Sequence, residues 1–398
     1  MKRSIIIVGG GAAGFFLAAN LKAENQDVVI LEQSKQPMQK VRISGGGRCN
    51  LTHACFEPRE LVASYPRGSK ELLGVFTRFQ PADTMQWFES KGVALYTDDE
   101  GCVFPQSDSS LDVVNTLLRE ASRNGIEVKC GTTVQEITKT ADGFEIKTDQ
   151  GAHQCDTLVI TTGSSRQIWK MLERLGHRIV APVPSLFSFV CRDRLLQDLA
   201  GTVFANVEAT VPSLKIRQSG VLLVTHQGLS GPVILRVSAF GARELHALNY
   251  SFDLRLNWIA TKREETVAML LDEKRRNPAK HLYSSNIKCV TSQFWKNILN
   301  TANIENRLWA DTSKDVINKI TDSLTDTCLK ITGRNTMKEE FVTAGGVDLK
   351  EVDFKTMQSK LIPNLYFAGE TLDIDGITGG FNFQACWSEA FIISRALA

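Results

Sequence analysis

The sequence predicts an α/β fold. A dinucleotide-binding Rossmann domain is interrupted by an inserted β-rich domain that carries a helical subdomain. Three observations predict this. A β-branched run at residues 4–8 enters Gly9-Gly10-Gly11-Ala12-Ala13-Gly14 and then an alanine- and leucine-rich helix. Glycines return near the C-terminus, at Gly345-Gly346, Gly369, Gly376 and Gly379-Gly380. Between these ends, residues 186–260 fall into short alternating segments, and residues 261–330 turn helical and nearly glycine-free.

Taken in order, residues 4–8 suit a strand buried on both faces, because every position is apolar or small. Residues 9–14 make a turn and residues 12–23 a helix. Residues 28–31 form a second strand ending at Glu32, which completes a βαβ unit with a right-handed crossover. A helix over residues 111–123 places Leu111, Val114, Leu117 and Leu118 on one face. Three short strands follow, at residues 127–129, 133–137 and 144–147, punctuated by Ala141-Asp142-Gly143 and Asp149-Gln150-Gly151. Residues 157–162 are another strand, running into Gly163. The segments at 186–191, 202–211, 221–225 and 250–256 have the period of strands in a separate β domain. Residues 365–368 form a strand that breaks at Gly369, and an apolar helix closes the chain. The expected boundaries are 1–185 with 341–398 for the nucleotide domain, 186–260 with about 331–340 for the β-rich insert, and 261–330 for the helical subdomain.

With 398 residues the chain is long enough for two or three domains. Its 43% hydrophobic and 23% charged content is that of a soluble globular protein. A net charge of +2 does not point to a nucleic-acid protein. Nine cysteines, an odd number without a Cys-x-x-Cys pair, fit reduced thiols rather than a disulfide framework or a zinc site, so no metal is expected. The apolar run after Met1-Lys-Arg-Ser is too short for a signal peptide, and no stretch is long enough to span a membrane. The expectation is a cytoplasmic protein without a membrane or an obligate protein partner.

The chemistry lies in the glycine motifs. In Gly9-x-Gly11-x-x-Gly14 the first glycine permits the tight turn, the second lets backbone approach a pyrophosphate, and the third lets helix and strand pack closely. The helix N-terminus, including Ala12 and Ala13, offers free N–H groups to phosphate. Glu32 lies 23 positions after Gly9, at the end of the next strand, where a carboxylate accepts from ribose hydroxyls. A second cluster is Ser44-Gly45-Gly46-Gly47-Arg48-Cys49-Asn50. Consecutive glycines are costly in entropy and suit backbone lying against a flat or anionic ligand. Arg48 is placed to pair a phosphate or a flavin edge, and Asn50 to hydrogen-bond ribityl or ring atoms. Cys49 has two readings, a small buried residue or a thiol that donates a proton beside the reactive ring. In the insert, Ser230 is expected to cap a helix that has Pro232 in its first turn, with His226 nearby as a proton source. At the C-terminal end Glu370 follows the strand at the carboxyl edge of the sheet. Gly379-Gly380-Phe381-Asn382 opens the last helix, whose amides are free for phosphate or flavin oxygens. Two glycine-rich ends together suit one long dinucleotide such as FAD.

Several motifs carry a family resemblance: GGGAAG, ISGGGRCNLT, the VFPQS segment from Val103 to Ser107, THQGLSGP, FVTAGGV, KTMQSK and AGETLDIDGITGGFN, in that order. Together they resemble the BaiN/RdsA (YhiN-like) family of NAD(P)/FAD-dependent oxidoreductases, from residue 4 to about residue 390 and most thinly between 255 and 340. The resemblance implies a glutathione-reductase-type FAD domain with an inserted β domain and a helical domain, and non-covalent FAD. It implies FAD contacts at Gly9, Gly11, Gly14, Glu32, Arg48, Val134 (through backbone), Gly369, Asp373, Gly380 and Asn382. Lys40, Thr162 and Gly163 complete the expected cofactor set. The chain has Thr52-His53 where relatives have Thr-Asn. Gly163-Ser164-Ser165-Arg166 runs directly into a helix where relatives have a longer loop.

The function expected is a flavin reductase. NADH or NADPH would reduce FAD, and hydride would pass to an activated C=C in a small enone or in a uridine of ribosomal RNA, with Cys49 and His226 as candidate acids. The alternatives are a flavin-dependent amine oxidase using oxygen and a non-enzymatic flavin-binding module. Residues 255–340 hold 15 Lys/Arg against 11 Asp/Glu, an ordinary solvated surface that leaves small-molecule and RNA substrates both open.

Overall fold

Strand β1 (Arg3–Val8) lies inside a seven-stranded sheet, where Ile5 to Val8 are all buried. The computed structural model describes residues 2–21, 26–287, 289–335 and 342–398. On one side β1 pairs in parallel with β2 (Gln26–Glu32), Val8 opposite Leu31, and β2 pairs with Glu127–Cys130. On the other it pairs in parallel with Thr157–Ile160, Val8 opposite Ile160, followed by Leu365–Phe367. The short strands Val352–Asp353 and Gln358–Ser359 add an antiparallel edge. The chain order reverses at β1, so a crevice opens at the carboxyl ends of β1 and Thr157–Ile160. Open α/β sheets bind ligands at such a switch point.

Helix α1 (Ala12–Asn20) follows β1 and packs against the last helix, Phe381–Leu397. Phe16 meets Trp387 with ring centroids 5.2 Å apart. Leu21 is the C-cap of this helix, and residues 22–23 of the expected helix lie outside the described residues. Helix Ser110–Arg123 buries Val113, Val114, Leu117 and Ala121. Leu111, expected on that face, is instead 49% exposed. It is the second residue of the first turn, and its N–H donates to the capping Ser109 Oγ.

The chain divides into two compact units, Met1–Pro182 with Val342–Ala398, and Val183–Phe341. The second holds an antiparallel sheet ordered Thr327–Ile331, Phe252–Asn257, Val203–Val211, Ile216–Thr225, Gly228–Ser230, Phe189–Val190 and Gly333–Arg334. Helices Arg263–Arg276, Ser292–Thr301 and Lys314–Thr325 share one apolar core with these strands. Phe204 contacts both Trp258 and Phe294, with centroids 4.9 and 4.8 Å away. Residues 261–330 therefore share their core with the strands of the same unit. The expected boundary at 341 lies outside the described residues. Helix Pro232–Phe240 starts one residue later than expected. Gly231 is its N-cap, and Ser230 is no cap, because its Oγ lies 2.6 Å from Ser188 Oγ. Among the described residues no helix is long and apolar enough to cross a membrane.

Candidate dinucleotide site

The crevice is an open cleft lined by Gly9, Glu32, Thr132, Val134, Thr162 and Gln167, among others. The glycines on its edge differ in what they do. Gly9 has φ +106°, and a Cβ there would lie 2.6 Å from Thr161 O. A Cβ on Gly14 would lie 2.1 Å from Gly9 O. Both positions exclude a side chain because of the protein itself. A Cβ on Gly11 would meet nothing nearer than 3.8 Å. Its missing side chain leaves open space in front of the α1 N-terminus, the place a phosphate needs.

Glu32 holds this loop from below. Its Oε2 accepts from Gly10 N–H at 2.6 Å and its Oε1 from Ser34 N–H at 2.7 Å. Each oxygen keeps a further lone pair for a ligand hydroxyl. Gln167 donates to Val134 O at 3.0 Å, which fixes that backbone at the cleft wall. The hydroxyl oxygens of Thr132 and Thr162 are buried and have no hydrogen-bond partner among the described residues. Buried polar groups are seldom left unpaired. Two orphaned hydroxyls and a glycine edge open to phosphate fit a nucleoside with its pyrophosphate.

The other motifs gather near the same sheet edge. Gly45, Gly46 and Gly47 have φ of +57°, +70° and +91°. A Cβ on Gly46 would meet nothing within 4 Å, so this loop too leaves backbone open. A Cβ on Gly380 would lie 2.5 Å from Thr52 O and 2.7 Å from Asn50 Oδ1, an oxygen that is buried without a partner. His53 stacks on Phe381 with centroids 4.6 Å apart. The second glycine cluster and the C-terminal loop are therefore in contact. Lys40 Nζ lies 2.5 Å from Glu370 Oε2, and that oxygen lies 3.6 Å from where a Gly163 Cβ would be. Arg67 ion-pairs the wholly buried Asp375, and Asp373 N–H donates to Val347 O at 3.1 Å. These contacts anchor the Asp373–Gly376 turn.

The structure places four expected residues as follows. Cys49 is wholly buried with φ +62°, and burial pushes its thiol up to about 12. Burial of this kind suits the packing reading of Cys49. The Arg48 guanidinium lies over the Phe104 ring, 4.3 Å from its centroid, and donates to Gly45 O at 3.1 Å, bracing the glycine loop. The Asn382 side chain is occupied by backbone: it accepts from Gly376 N–H at 2.8 Å and donates to Gly376 O at 3.0 Å. Only its main-chain N–H, in the first turn of the last helix, is left for a ligand. His226 is exposed at the turn between Ile216–Thr225 and Gly228–Ser230, in the second unit. Thr132 and Gln167 went unnoticed in the sequence. The signal was Gly131-Thr132-Thr133 directly before a strand, with Gly131 at φ +68°.

A crevice at the switch point of a parallel sheet, edged by Gly9, Gly11 and Gly14 and floored by Glu32, defines a dinucleotide-binding protein of the Rossmann class. The HI0933-like protein Rossmann domain family matches residues 3–396, and the chain belongs to that family. The family places it among FAD-dependent oxidoreductases. A ribosomal RNA dihydrouridine synthase of Escherichia coli is 28% identical over 406 residues, covering 98% of this chain and 97% of the relative. A 3-dehydro-bile acid delta(4,6)-reductase of Clostridium scindens is 26% identical over 417 residues, covering 98% of each. The solved 3-ketosteroid-delta4-(5alpha)-dehydrogenase of Rhodococcus jostii RHA1 is similar in fold, with a TM-score of 0.52 at 12% identity, covering 98% of this chain and 97% of that one.

Proposed function

We propose that the protein is an NAD(P)H-driven, FAD-dependent reductase of an activated carbon–carbon double bond, carried by a nucleobase in RNA or by a small cyclic enone. The observation that carries this is similarity along the whole chain to two proteins whose names both denote saturation of such a bond. In this reading the fold is of the glutathione-reductase type, and residues 183–341 are its insert.

Bound FAD supplies two-electron transfer between nicotinamide and substrate. The chain's part is to bind, orient and manage protons. The α1 N-terminus at Gly11 to Ala13 takes the pyrophosphate. Glu32 accepts from ribose hydroxyls while keeping its hold on Gly10 and Ser34. Thr132 and Thr162 donate into the cleft. The Gly45–Asn50 loop, Lys40, Gly369 and the first-turn amides of Phe381 and Asn382 serve the rest of the cofactor.

Anaerobic titration with NADH and then NADPH, followed by a cyclic enone or a uridine-containing RNA, tests the reading. The visible flavin band should bleach with a nicotinamide and return with the acceptor. Protein that cannot be loaded with FAD overturns it. So does flavin that is reduced by amines and reoxidised only by oxygen with peroxide formed.

A further inference from the structure

Glu389 is a carboxyl in the middle of an apolar helix, and none of the roles above uses it. It is wholly buried. Its Oε2 accepts from Gly369 N–H at 2.5 Å, and its Oε1 has no partner among the described residues. Gly369 lies two residues beyond strand Leu365–Phe367 and has φ +73°. A Cβ there would lie 3.6 Å from Ala13 Cβ, in the first turn of α1, and 3.2 Å from Cys386 Sγ. Gly369 is thus the layer between Glu389 and the phosphate-binding end of α1.

Two carboxyls flank Gly369, and they are treated differently. Glu370 is neutralised by Lys40. Glu389 is paired with no cation among the described residues. The titratable groups that face it are Cys386 on its own helix, Tyr65 from the loop after Val62–Ser64, and Glu370 with Lys40 beyond. Burial pushes the Glu389 carboxyl up to about 8, against the weaker opposing pull of the Gly369 N–H. Burial likewise keeps the Tyr65 hydroxyl and the Cys386 thiol protonated, so neither adds a second negative charge beside Glu389.

We propose that Glu389 is a positioning residue of the FAD site: it pins Gly369 against α1 and, when it loses its proton, puts an unpaired negative charge behind the phosphate-binding helix end and loosens the cofactor. This rests on the reading of the cleft as an FAD site. Like charges at a site oppose one another's binding, and a buried charge is poorly screened. The neutral acid still accepts the Gly369 hydrogen bond through its carbonyl oxygen, so the loop is held while the charge is absent.

The test is FAD affinity of the apoprotein, followed by flavin fluorescence from about pH 6 to about pH 9. Wild-type affinity should fall about tenfold, the scale of one buried like charge, with its midpoint near the Glu389 value of about 8. Glu389→Gln keeps shape and hydrogen bond but cannot ionise, so its affinity should match the wild-type low-pH value and stay flat. A Gln variant with the wild-type pH slope, or a wild type with no slope, overturns the proposal. Should the variant fail to fold, calorimetry of wild type in buffers of different ionisation enthalpy answers the question. FAD binding near pH 8 should take up a proton, and binding without proton uptake overturns the proposal. A wild type that binds FAD at no pH fails the FAD reading itself, a different outcome from FAD bound without proton linkage.

Discussion

The two units use their interiors in opposite ways. In the first, five carboxyls are buried among the described residues: Glu32, Glu120, Asp373, Asp375 and Glu389. In the second, among the described residues, every buried polar side chain is a hydroxyl or an amide. Several of these are closed by nearby backbone, as when Asn297 donates to Leu195 O and Gln197 O, or Thr321 to Ile317 O. A buried charge is expensive unless it is paired or neutralised. The first unit accepts that cost where Glu32, Asp375 and Glu389 hold the turns around the cleft. The second has no such turns to hold and is built as an apolar core of aromatic and aliphatic side chains. Where a chain buries carboxyls and leaves hydroxyls unpaired marks where a ligand goes.

The comparison can be broken in several places. Trp258→Ala should cost about 3–5 kcal/mol in urea unfolding of the second unit, the usual price of removing a large core aromatic. FAD retention by the folded protein should persist, and its loss would show that the second unit is not energetically independent of the site. Gly14→Val should destabilise the first unit by a comparable amount, because the 2.1 Å approach to Gly9 O leaves no room to relax.

Next in size is the pH effect of Glu389. Its pKa is raised on folding from 4.5 to about 8, so the native state binds the proton more tightly than the unfolded chain does. The stabilisation is complete below the unfolded value and is lost as pH rises through about 8, a change on the order of a few kcal/mol. Thermal unfolding against pH should show this decline in wild type and a flatter curve in Glu389→Gln.

Gly11→Val separates folding from binding. The added side chain enters open space at a backbone angle that any residue adopts, so the apoprotein should change by less than ~1 kcal/mol while FAD affinity falls at least ~tenfold. Loss of stability instead would mean that this glycine serves packing, as Gly9 and Gly14 do. The smallest effect is expected at Ser165→Ala. This removes the cap of helix Arg166–Arg174 at the cleft edge and should cost ~1 kcal/mol by urea unfolding.

Much of the site was legible because its requirements are local. The strand, turn and helix at residues 3–20 follow from a β-branched run, three spaced glycines and an alanine-rich stretch. Glu32 follows from the fixed length of one βαβ unit. These features depend on backbone geometry within some thirty residues, and residue type reports on it directly. Other readings failed where a side chain had more than one available partner. Asn382 was legible as polar at a helix start, but its amide turned back to Gly376 and away from any ligand. Ser230 had the chemistry of a cap and met Ser188 instead. Cys49 was open between packing and chemistry until burial decided it.

By itself, the sequence determined the Rossmann class, the Gly9 to Glu32 frame and the two glycine loops, because spacing and conformational cost are written in residue type. Only the tertiary structure decided which glycines serve the protein and which leave room for a ligand. Gly14 meets Gly9 O, whereas Gly11 and Gly46 meet nothing close. It alone turned Glu389 from one polar letter in an apolar helix into a carboxyl against Gly369. It alone merged residues 261–330 into the core of the strands. The physical reason is the same in each case: burial and contact belong to pairs of residues far apart in the chain, and no single position records them.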